Sequence, residues 1–125
     1  GGAVMRTVVA GSRLALAVQT YEAIEAAPWR PTVVISGMAR GADKAGALWA
    51  RENDVPVEEH PADWSEFGRS AGHIRNAEMA AAGEALILVW DGDQQRCKGS
   101  YSMLKLARKR GLTIYEHIVD LVPQA

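Results

Sequence analysis

Ala85-Leu86-Ile87-Leu88-Val89-Trp90 is the most apolar run in the chain, and it decides the fold. Six apolar residues without polar alternation describe a strand buried on both faces, the pattern of a central strand in a parallel sheet covered by helices on each side. Gly83 precedes the run and the polar turn Asp91-Gly92-Asp93 follows it. Beyond that turn, Gly99-Ser100 leads a helix to Arg110, Gly111 is placed to cap it, and Leu112 to Ile118 reads as a last strand. On the other side, Ser70 can cap a helix over Ala71–Ala82, with Ile74, Ala77 and Ala81 as its inward face.

The N-terminal half repeats this alternation of strand and helix. Thr7-Val8-Val9-Ala10 is a strand that stops at Gly11-Ser12-Arg13. A helix over about Ala15–Ala27 follows, with Ala17, Tyr21 and Ile24 on one face and Pro28 at its end. Thr32 to Ser36 forms a second strand punctuated by Gly37. The next helix opens near Ala42-Asp43 and inserts Ala45, Leu48 and Trp49. Val55 to Glu59 contains Pro56 and reads as an edge strand, and His60 to Arg69 as an irregular segment. Strands alternating with helices specify an α/β protein, and right-handed crossovers wind about five parallel strands in the order 3-2-1-4-5 with helices on both faces. In that order the first and fourth strands are neighbours whose connections leave on opposite faces. A crevice then opens at their carboxyl ends, where the turns at Gly11, Gly37 and Asp91 converge.

Composition narrows the function. The 125 residues include 21 Ala and 12 Gly but one Phe, so helices must approach the sheet closely. Fourteen basic against fifteen acidic residues give a net charge of −1, without the basic excess of a nucleic-acid coating protein. A single cysteine, Cys97, cannot form an internal disulfide and suits a reducing compartment. No apolar run approaches the roughly 20 residues needed to span a bilayer, so no membrane partner is expected. Residues 5–122 read as one domain, Gly1 to Val4 as a leader or appended remnant before Met5, and 123–125 as a tail.

The candidate chemistry is anion binding. Glycine admits an oxyanion close to the backbone, and a following helix offers unpaired N–H groups at its positive end. Gly37 to Asp43 and Lys98 to Tyr101 both lie between a strand and a helix start. Neither Walker A nor Gly-x-Gly-x-x-Gly is present, which argues against a standard nucleoside triphosphatase or nicotinamide dehydrogenase. Arg13, Arg40 and Arg75 fall on the same edge, where guanidinium groups hold phosphate bidentately. Asp43 and Asn76 are candidates for ribose and base, and Trp64 for stacking on a base. The alternatives are a helix cap for Asp43, solvent exposure for Asn76 and packing over the sheet edge for Trp64. His60, His73 and His117 lack metal-ligand spacing, so neither metal nor cofactor is expected. Lys105, Arg108, Lys109 and Arg110 complement the negative end of their helix.

Gly37-Met38-Ala39-Arg40-Gly41-Ala42-Asp43, Trp49-Ala50, Ala62-Asp63-Trp64, Gly68, Ala71-Gly72, Arg75-Asn76, Met79 and Gly99-Ser100 together resemble the YspA-related branch of the SLOG superfamily, over about Arg6 to Ile118. That superfamily groups the Lonely Guy phosphoribohydrolases, once mislabelled lysine decarboxylases, with the DNA-processing protein DprA. The resemblance implies a Rossmann-like fold in a small bacterial or phage protein that binds nucleotides or nucleotide-derived ligands in the cytoplasm of a bacterium or a phage host. It also implies a homo-oligomer, dimer or tetramer. Lonely Guy enzymes carry Pro-Gly-Gly-x-Gly-Thr-x-x-Glu at the fourth turn; here Gly99-Ser100-Tyr101-Ser102-Met103 places Met103 at the glutamate position, and a thioether is neither acid nor base. The leading expectation is therefore binding of a nucleoside monophosphate, nucleotide sugar or ADP-ribose-like ligand, with no assigned catalytic residue. Gly11, Ser12, Arg13, Gly37, Arg40, Gly41, Asp43, Trp64, Arg75, Asn76, Gly99 and Ser100 form the binding set. The alternatives are a phosphoribohydrolase or N-glycosidase using Asp43 or Asp91, and a DprA-like single-strand binder, which the neutral charge disfavours.

Overall fold

The computed structural model describes residues 4–122. Most of the leader read before Met5, and the tail 123–125, lie outside the described residues. Five strands, β1 (Arg6–Gly11), β2 (Val33–Ser36), β3 (Val57–Glu59), β4 (Ala85–Trp90) and β5 (Thr113–Ile118), form one parallel sheet in the order β3-β2-β1-β4-β5. Helices α1 (Ala17–Ala26), α2 (Ala42–Glu52), α3 (Trp64–Phe67), α4 (Ala71–Ala82) and α5 (Lys98–Arg110) complete the Rossmann-like α/β fold. The register runs Thr7 opposite Ala85 through Gly11 opposite Val89, so β1 and β4 are paired along their whole central length.

Every residue of β4 is buried, as its unbroken apolar run requires. Its side chains divide by strand alternation: Leu86, Leu88 and Trp90 pack with Val8, Met79, Met103 and Leu104 beneath α4 and α5. Ile87 and Val89 pack with Val9, Val34, Ile24 and Trp49 beneath α1 and α2. Small residues set the close spacing. A Cβ at Gly46 would lie 2.6 Å from a Val9 methyl, so α2 rests directly on β1.

Three helix faces differ from the sequence expectation. In α1 the buried residues are Thr20, Ala23 and Ile24, while Ala17 is exposed. In α2, Ala45 and Trp49 are buried as expected, but Leu48 is 47% exposed, because Ala47 and Ala50 define the buried stripe with Trp49. In α4 the inward residues are Ala71, Asn76, Met79 and Ala80; Ala81 is exposed and Ile74 and Ala77 are only half-buried. Alanine on both sides of α4 leaves its phase undetermined by hydrophobicity, and the larger Met79 fixes it by filling the space beside Leu86 and Leu88. Ser70 makes no side-chain cap, and a 3-10 turn over Gly68–Ser70 feeds the chain into α4 instead. The segment read as irregular contains α3, capped where the Asp63 carboxylate accepts from the Glu66 amide at 3.0 Å.

Candidate functional site

The chain leaves β1 toward α1 on one face and leaves β4 toward α5 on the other, and a cleft of about 730 Å³ lies where they part. Its floor is the β1–α1 turn. The Ser12 amide donates to the Val89 carbonyl at 2.9 Å, and its hydroxyl accepts from the Leu14 amide at 3.0 Å. Gly11 presses so closely on the Val89 backbone that no Cβ fits there.

The start of α2 is closed onto this turn. Gly41, at φ 88, lies against the Ser12 carbonyl and the Arg13 backbone, a conformation and an approach that both require glycine. The Ala42 amide donates to the Ser12 carbonyl and the Lys44 amide to the Ala39 carbonyl, each at 3.1 Å. These amides are engaged within the protein, and Gly41 itself does not line the cleft. Asp43 follows, 5% exposed, with one edge on the cleft. Burial pushes its carboxyl up to about 6, against the opposing pull of Arg75, the Ala39 and Gly11 amides and Arg13.

Arg75 joins three elements. It donates to the Gly37 carbonyl at 2.7 Å and to the Asn76 side-chain oxygen at 2.9 Å, and Asn76 in turn donates to the Gly99 carbonyl at 3.4 Å. Gly37 is glycine because a Cβ there would collide with both the Arg75 guanidinium and the Asp43 carboxylate. The β2–α2 loop, α4 and the start of α5 are thereby locked together at one wall of the cleft.

The amino end of α5 continues this wall. No side chain caps this helix, and the amides of Lys98, Gly99 and Ser100 belong to the first turn, which has no intrahelical acceptor. Ser100, only 6% exposed, lines the cleft, and its hydroxyl makes no hydrogen bond with another described residue. The preceding loop is held by Asp91, whose carboxylate accepts from the Asp93 amide at 2.9 Å, from Arg96 at 2.7 Å and from the Cys97 thiol at 3.4 Å. The Asp93 amide, ahead of the other groups, keeps Asp91 below the usual carboxylate range, while burial and then Asp91 push the Cys97 thiol up. Among the described residues, no three His, Cys, Asp or Glu side chains converge as metal ligands.

Of the residues singled out in the sequence, Gly11, Ser12, Arg13, Asp43 and Trp64 line this cleft, as do Arg75, Asn76, Gly99 and Ser100. Gly37 and Arg40 line an adjoining lobe of about 530 Å³ instead. Trp64 is 53% exposed and lines both hollows. Sequence reasoning missed the wall formed by Leu14, Met103, Cys97 and the hydrogen-bonded pair His73 and Ser102, 3.1 Å apart. The spacing of four from Gly99 to Met103 was the available signal, because it puts both on one side of α5.

A five-stranded parallel sheet in the order β3-β2-β1-β4-β5, with a cleft at the carboxyl ends of β1 and β4 walled by an uncapped helix and an arginine, defines a Rossmann-like α/β protein. Residues 5–67 match the family model for the YspA, cpYpsA-related SLOG family, and the chain belongs to that family. It is also similar to the Gene 61 protein of Mycobacterium phage D29, with 37% identity over 87 residues, covering 66% of this chain and 68% of the phage protein. The family match spans β1 to α3, less than the stretch to Ile118 over which the motifs were read, and so includes the Gly37–Asp43 loop but not α5.

Proposed function

We propose that this protein binds a nucleotide-derived small molecule in the cleft between β1 and β4, with a phosphate at the amino end of α5. One observation carries the reading: Lys98, Gly99 and Ser100, whose first-turn amides are uncapped, all line the same hollow, and the Ser100 hydroxyl has no hydrogen-bond partner among the described residues. Such an end is an anion site, because the N–H groups point outward and the helix dipole favours negative charge. Arg75 and Arg13 neutralise the phosphate, Asp43 and Asn76 address the sugar, and Trp64 offers a stacking face. Membership of the family supports the same class of ligand.

Calorimetry against nucleoside 5′-monophosphates, nucleotide sugars and ADP-ribose tests the proposal. Binding by at least one of these, weakened about tenfold by Ser100→Ala, is expected from the loss of a hydrogen bond to a charged oxygen. An absence of binding across the panel overturns it.

Hydrolysis of the N-glycosidic bond is the second reading, favoured by the position of Asp43. A carboxyl raised to about 6 at the edge of a cleft can exchange a proton near neutral pH. Release of free base from a nucleoside monophosphate, lost in Asp43→Asn, is its test, and unchanged substrate at high protein concentration argues against it.

A further inference from the structure

The lobe beside the cleft has a charge arrangement that one phosphate does not account for. It shares Arg13, Ala39, Trp64 and Arg75 with the cleft, so the two hollows adjoin along these residues. Arg40 lines the lobe alone. Neither Arg13 nor Arg40 forms a salt bridge or hydrogen bond with a described residue, and no Asp or Glu lines the lobe. Arg96, by contrast, is paired with Asp91 and Asp93 and is not available. An exposed arginine by itself is ordinary. Arg75 and Arg13 face the buried Asp43 carboxyl, but Arg40 has no such partner among the described residues, and the planar guanidinium donors around the hollow match phosphate or carboxylate oxygens. The lobe floor also holds Met38 at φ 60, a left-handed conformation unusual for a residue with a side chain, as is found where a backbone is shaped around a ligand. Each hollow has the volume of a small-molecule site in its own right.

We infer that the ligand carries two separated anionic groups, one at the amino end of α5 and a second, phosphate or carboxylate, in the lobe between Arg13 and Arg40. This rests on the nucleotide reading above and narrows it to nucleotides with a second anion remote from the first.

Two matched pairs of probes separate the possibilities: AMP with adenosine 3′,5′-bisphosphate, and UDP-glucose with UDP-glucuronate, titrated into the full chain. The member of at least one pair that carries the additional anionic group is expected to bind about tenfold or more tightly than its partner. The bisphosphate pair reports a phosphate in the lobe and the glucuronate pair a carboxylate. Arg40→Ala, and independently Arg13→Ala, should bring that ratio down toward one, whereas Arg51→Ala, at the far end of α2 and paired with Glu59, should retain it. A ratio near one in both pairs, or a ratio that survives Arg40→Ala and Arg13→Ala, overturns the inference while leaving the nucleotide reading intact. Failure of all four probes to bind overturns this inference, and the nucleotide reading falls with it only if the whole panel above also fails to bind.

Discussion

Asp43 is the residue at which stability and function meet. Its carboxyl sits at about 6 in the folded chain against an ordinary 3.8, so the folded state favours the protonated form. The contribution of this group to stability is therefore full below about pH 4 and is lost as pH rises through 6, at an order-of-magnitude cost of about 3 kcal/mol. Glu58 and Asp91 are held below their ordinary range and act with the opposite sign, losing their contribution as pH falls. Urea unfolding of the parent and Asp43→Asn between pH 4 and 7 should show the variant gaining relative stability as pH rises, and parallel profiles would refute the assignment. Gly37 permits the Asp43 and Arg75 groups to coexist. Gly37→Ala should displace the guanidinium from the Gly37 carbonyl, cost about 1–3 kcal/mol and weaken any ligand held by Arg75. Thermal melts and titration of the same variant check both effects.

At the scale of elements, α5 trades stability for an open amino end. Cys97 occupies the capping position without capping, its thiol turned to Asp91. A serine hydroxyl there can donate to Asp91 and accept from a first-turn amide at the same time. Cys97→Ser should stabilise the chain by about 0.5–1 kcal/mol while weakening nucleotide binding, because the cap and the phosphate compete for the same donors. A variant that gains both stability and affinity would contradict this account. The elements also show how far sequence could be read. β4 was legible because a doubly buried strand leaves no polar alternation, and the turns at Gly11, Gly37 and Gly99 were legible because the strand order brings them to one edge. The phase of α4 was not, since alanines surround it. Asn76 and Arg75 were named from sequence, but their link to Gly37 and Gly99 follows from tertiary packing alone.

At the scale of the molecule, α1 and α2 leave Leu16, Val18 and Leu48 exposed at 57%, 59% and 47%, and we propose self-association through this helical layer. Light scattering should then give a mass above 13.5 kDa, reduced by Leu48→Glu, and a monomer at all concentrations would exclude it. No helix among the described residues is long and apolar enough to cross a membrane.

The pairing of β1 with β4 joins segments far apart in the chain, with Thr7 beside Ala85. The lobe is built almost wholly from residues before α4, whereas the free amides come from α5. A chain that has folded β1 to β3 but not yet zipped β4 alongside them has arginines with nothing to hold the other end of a ligand. Binding competence thus depends on this one long-range pairing, and a nucleotide held across both halves would act as a latch on the finished fold, slowing its opening.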